Sequence, residues 1–117
     1  MADMDPFVVH FNARVHGMKA DLLKRQSIDQ LLDQGDLSGL VDSLLDSSYR
    51  TEMAEALTRY EGADAVEEAV SRNLVATFQT LLSRSQGEFR ELVELFLGRC
   101  DLMAVKSLLR LKHHNLD

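Results

Sequence analysis

Disulfides, prolines and membrane spans are all scarce in this sequence. There is one cysteine, Cys100, and one proline, Pro6. A lone cysteine forms no internal disulfide, which fits a reducing compartment. Pro6 lies ahead of the first periodic segment, so nothing breaks the helical stretches that follow. Tryptophan is absent and aromatics are 6% of the chain, while leucine is abundant, a balance that favours helices over strands. No stretch sustains period-two alternation, and neither Asn-Gly nor Asp-Gly occurs to close a hairpin. No apolar run approaches the length of a membrane span. Basic charge is short as well. Thirteen Lys and Arg face 19 Asp and Glu, a net charge of −6. That balance argues against nucleic acid as a partner and against attraction to an anionic membrane surface.

Catalytic signatures are missing too. Gly35 and Gly39 lack the Lys-Ser/Thr that a phosphate loop needs. Cys100 belongs to no Cys-x-x-Cys motif. It sits beside Arg99 near an expected helix start, and a buried structural thiol is its expected role. His113 and His114 are adjacent and point to different sides of a helix, and His10 and His16 are six apart, so neither pair chelates. Asp42, Asp46, Glu52 and Glu55 read as a solvated face, and the inner methionines, Met18, Met53 and Met103, as core filler. No cofactor or metal is implied.

What is present is helical periodicity. The 117 residues fit one domain, 1–117, with a core of its own. Val8, Phe11, Val15, Met18 and Leu22 recur at steps of three and four between Phe7 and Lys24. Gly17, inside that run, either weakens the helix or admits another backbone. Ser27 and Gln30 form a capping box for a second helix, which Gly35 stops. Asp36 caps a third, with Leu37, Leu40, Val41, Leu44 and Leu45 on its face. Met53, Ala56, Leu57 and Tyr60 share a fourth face, ended by Gly62. The longest helix is expected over Ala63–Ser83, presenting Val66, Val70, Leu74, Phe78 and Leu81. After a turn at Gly87, Phe89, Leu92, Val93, Phe96 and Leu97 form a further face. A last helix is expected to begin with Asp101 near its N-cap and to offer Leu102, Val105, Leu108 and Leu109 to the core. The expected fold is all-α, with about six or seven amphipathic helices.

Charge is uneven. From Asp29 to Glu68 eleven acidic residues face two basic ones, Arg50 and Arg59, a net −9. From Arg99 to His114 four basic residues face Asp101, a net +3. Arg14, Tyr49, Arg99, Asp101, Lys106 and Arg110 stand out as polar residues inside apolar, periodic stretches. Each has a local role open to it: a cap for Asp101, a covering stem for Arg110, a half-wet anchor for Tyr49. Participation in a partner interface is the other reading.

Three stretches resemble a known family, the C subunit of V-type ATP synthases, which is the d subunit of eukaryotic V-ATPases. "NARVHGMKADLL" (Asn12 to Leu23) is similar to its opening helix motif, and "LLDSSYRTEM" (Leu44 to Met53) to its Leu-x-x-Ser/Thr-x-Tyr segment. "FLGRCDLMAVKSLLRLK" (Phe96 to Lys112) is similar to its most specific signature, with Arg99, Asp101, Lys106, Arg110 and Lys112 in step. Ala104 stands where the family usually has Asn, and the chain is about one of the family's three helical repeats long.

The resemblance implies a non-catalytic, funnel-shaped subunit that seats the central shaft on the membrane rotor ring, with this chain an excised N-terminal domain of it, a truncated paralogue, or a divergent protein reusing one repeat. It implies other rotary-ATPase subunits as partners, a cytoplasmic position peripheral to the membrane, and an interface or structural motif drawn from Asn12, Arg14, Tyr49, Arg99, Asp101, Lys106 and Arg110. Asp101 would pair with Arg99 or with an arginine of another helix. A free-standing helical adaptor is the alternative, and a small hydrolase using His113 or Cys100 a distant third. An isolated repeat would also expose apolar surface and self-associate.

Overall fold

Six helices, and no strand, make up the described residues, 5–114, of this computed structural model. They are α1 (Pro6–Ala20), α2 (Arg25–Asp33), α3 (Leu37–Leu45), α4 (Arg50–Ala56), α5 (Gly62–Arg84) and α6 (Gly87–His114). The all-α expectation holds, and the count falls within the expected range. Met1 and Met4 lie outside the described residues. The chain divides into two compact units, one through Thr77 and one from Phe78.

In the first unit, α1 starts where its sequence allows. The Asp5 carboxylate accepts the Phe7 N–H at 2.9 Å, and Pro6 fills the first helical position, where no donor is needed. Phe7 and Phe11 stack one turn apart, centroids 5.9 Å from each other. Among the described residues nothing approaches Gly17 within 4 Å of where a Cβ would lie, so no close backbone contact requires the glycine there and it lowers helix propensity. The helix α2 begins two residues before the expected capping box. Lys24 holds the extended cap conformation, and its carbonyl already accepts the Ile28 N–H, so Ser27 is inside the helix and caps nothing. Gly35, at φ +68°, turns the chain left-handed after α2. Asp36 then caps α3 as expected, accepting the Gly39 N–H at 2.6 Å.

The buried core is Leu44 of α3, Met53 and Ala56 of α4, and Ala65 and Ala69 of α5. Leu23, Leu40, Val41, Leu45, Tyr49 and Val66 pack around it. The stripe that α5 buries therefore differs from the expected one. Val70 and Leu74 are exposed, while the two alanines, four apart, join the cluster around Met53. A methyl group lets two helices approach closely, and volume scales alone rank it below valine or leucine. The fourth helix is also shorter than its spacing suggests. It ends at Ala56, where the Thr58 hydroxyl donates to the Glu55 carbonyl at 2.7 Å, and Leu57 and Tyr60 are left exposed. Two ties join distant segments. The Ser48 hydroxyl donates to the Asp21 carbonyl at 2.9 Å, and Arg72 of α5 bridges Glu68 on its own helix and Glu55 on α4.

In the second unit, Ser85 is buried and closes α5. Its hydroxyl donates to the Leu82 carbonyl at 2.9 Å and its N–H to the Leu81 carbonyl at 3.0 Å. Gly87, at φ +53°, opens α6. That helix is continuous for 28 residues. The two separate helices expected around Gly98 are one, because Gly98 keeps a negative φ and the backbone ladder runs on through Asp101. Phe89, Val93 and Leu97, at successive steps of four, are half-buried. Beyond them every described residue is exposed, so Leu102, Met103, Val105, Leu108 and Leu109 do not enter a core as expected.

Candidate interaction surface

Tyr49 is held in place from three sides. The turn between α3 and α4 presents it as the residue before Arg50. The Ser47 hydroxyl donates to the Leu44 carbonyl at 2.7 Å and accepts the Tyr49 N–H at 3.1 Å, and the ring packs half-buried on the core. Around it Met18, Asp21, Leu22, Ser48, Asn73 and Thr77 line a cleft of about 190 Å³. That is small for an organic ligand, for which 300–1,000 Å³ is roughly the usual range. Tyr49 stands at the N-cap of α4, with no side-chain cap hydrogen bond among the described residues.

A second cleft, of about 210 Å³, is acidic. Asp64, Glu67, Glu68 and Ser71 recur at helical spacing along α5, with Tyr60 at one edge. The sequence carries the signal as Asp-x-x-Glu-Glu, yet in a chain this acidic the run does not stand apart from its neighbours. Glu68 is committed to Arg72: its hydrogen bond and charge hold the guanidinium above its ordinary pKa, with Glu55 adding to the effect. No group of three or more His, Cys, Asp or Glu side chains is placed to hold a metal ion among the described residues. Glu52, in the first turn of α4, turns one carboxylate oxygen away from solvent with no hydrogen-bond partner among the described residues, beside the positive end of the helix dipole.

The residues singled out by sequence fall in both units. Asn12 and Arg14 are exposed on α1, two apart and so on different sides of it. Tyr49 lines its own cleft in the same unit. Arg99, Asp101, Lys106 and Arg110 all lie on the exposed half of α6. Steps of seven and four place Arg99, Lys106 and Arg110 along one side, and Asp101 falls elsewhere. Asp101 is mid-helix, so it caps nothing, and its two-residue offset from Arg99 turns the two side chains apart. No ion pair to Asp101 occurs among the described residues. Cys100 is exposed in mid-helix, which overturns both the buried-thiol role and the helix-start position expected for it. No helix among the described residues is long and apolar enough to cross a membrane.

Known proteins share this sequence pattern. Residues 11–117 match the family described as ATP synthase (C/AC39) subunit. The C subunit of the A-type ATP synthase of Methanosarcina barkeri is 36% identical over 102 residues, covering 87% of this chain and 28% of that protein. Its counterpart from Methanococcoides burtonii is 33% identical over 104 residues, 89% of this chain and 29% of the relative. The C subunit of the V-type ATP synthase of Deinococcus radiodurans is 28% identical over 101 residues, 86% and 29% of the two chains. The chain thus spans under a third of the length of these curated relatives. No solved structure matches it.

Proposed function

Because this chain belongs to the ATP synthase (C/AC39) subunit family, we propose that it works as a non-catalytic coupling subunit of a rotary V/A-type ATPase, or as a domain of one. In that role it links the central shaft to the membrane rotor ring and supports proton or sodium transport from a peripheral, cytoplasmic-side position. The family match across residues 11–117 carries this reading. The physical character of the chain supports it. A part that transmits torque needs stiff, packed helices and polar contacts that resist sliding. The first unit supplies the former through its core around Met53, and its helices are tied by Ser48 to Asp21 and by Arg72 to Glu55.

Asn12, Arg14, Tyr49, Arg99, Asp101, Lys106 and Arg110 are the residues assigned to contacts with other parts of the motor. Exposure of all but Tyr49 leaves their polar groups free for that use. The test is affinity purification of the tagged chain from its own host under mild detergent. Shaft and rotor-ring subunits are expected in the eluate, and an eluate without either refutes the reading. The exposed apolar residues of α6 keep a second reading in view, a free-standing helical adaptor. It predicts that the same purification returns an unrelated protein.

A further inference from the structure

The exposed half of α6 carries two stripes side by side. One is apolar: Leu102, Val105 and Leu109, at steps of three and four, are 56, 52 and 62% exposed. The other is basic: Arg99, Lys106 and Arg110, with His113 three residues further on. Three and four residues away, the described part of the helix offers Arg99, Lys106 and Arg110 no acid. The positions three and four residues from Arg99 are Leu95, Phe96, Leu102 and Met103. Those around Lys106 are Leu102, Met103, Leu109 and Arg110, and those around Arg110 are Lys106, Ser107, His113 and His114. None of the ion pairs among the described residues includes them, whereas Arg90, in the first half of the same helix, pairs with Glu94 at 2.9 Å.

We propose that this double stripe is a docking face for an amphipathic helix of a protein partner, one whose apolar positions are flanked by glutamate or aspartate. An occupant has to cover the leucines and answer the cations together. A second copy of this chain, laid on the same face, covers the leucines but sets a net +3 against a net +3 over residues 99–114. That like charge opposes the pairing along the stripe. An anionic membrane answers the cations but meets a chain of net charge −6, and this half of the helix has no Trp or Phe to anchor it. An acidic helix satisfies both demands, pairing apolar residues at i, i+3 and i+7 and facing carboxylates to Arg99, Lys106 and Arg110. Arg99, Lys106 and Arg110 also serve the coupling role proposed above, but the peptide test reads the inference separately from it. A chain that co-purifies with no rotary-ATPase component and still binds an acidic helix refutes that role and leaves this inference intact.

The test titrates the full chain, isotopically labelled, with two synthetic helical peptides sharing one leucine stripe, flanked by Glu in the first and by Lys in the second. The Glu peptide is expected to shift amide resonances within residues 95–113 and to bind at least about tenfold more tightly than the Lys peptide. Its affinity should fall as salt rises from about 0.05 to 0.5 M. Arg110→Glu and Arg99→Glu should narrow or reverse the preference. Both side chains are exposed, so circular dichroism should show the fold retained. Four results overturn the proposal: equal affinity for the two peptides, no shift in α6 at millimolar peptide, a dimer in sedimentation that Leu109→Glu abolishes, or retention on phosphatidylserine vesicles that Arg110→Glu abolishes without any preference for the Glu peptide.

Discussion

Met53 has no exposed surface and sits among Leu44, Ala56, Ala65 and Ala69, where the three alanines leave room for its flexible thioether. Truncating it removes one of the two large apolar side chains of that core. Met53→Ala is therefore expected to lower unfolding free energy by about 2–5 kcal/mol, read from urea denaturation. Met103, 69% exposed on α6, is the control: Met103→Ala should move stability by less than about 0.5 kcal/mol. Sequence alone gives the two methionines the same expected role as core filler. The difference between them is whether a partner surface lies opposite, and periodicity carries no information about that.

Among the helices, boundaries were legible where a side chain or a backbone sign sets them locally. Asp36 caps α3, and Gly35 and Gly87 turn left-handed where stops were expected, because both effects need only the residue and its immediate neighbours. The capping box at Ser27 and the helix start at Asp101 failed for one reason. A Ser or Asp caps only if its own backbone leaves the helical region, and at both places the hydrogen-bond ladder passes through instead. Paired substitutions separate the cases. Asp36→Ala should cost about 1 kcal/mol of stability in urea melts. Asp101→Ala should cost nothing and even gain a few tenths of a kcal/mol, since alanine is the better residue in an exposed helix interior. A loss of about 1 kcal/mol at Asp101 would place a helix start there after all.

Across the whole molecule, order should grade with packing. Amides of α3, α4 and the first turns of α5, which enclose the buried core, are expected to show the slowest hydrogen exchange, and those from Gly98 to His114 the fastest. Comparable protection in both regions would mean that the second half of α6 is covered in solution. The helical character of the chain, the number of helices to within one and the family are all written in the order of the residues. A 3.6-residue period and a spaced Arg-x-Asp…Lys…Arg signature are local properties, readable without a fold. Which apolar stripes are buried was settled in three dimensions. Ala65 and Ala69 entered the core and Leu102, Val105 and Leu109 did not. Burial depends on how closely another surface can approach, and the size of a side chain sets that limit without revealing whether the surface is there.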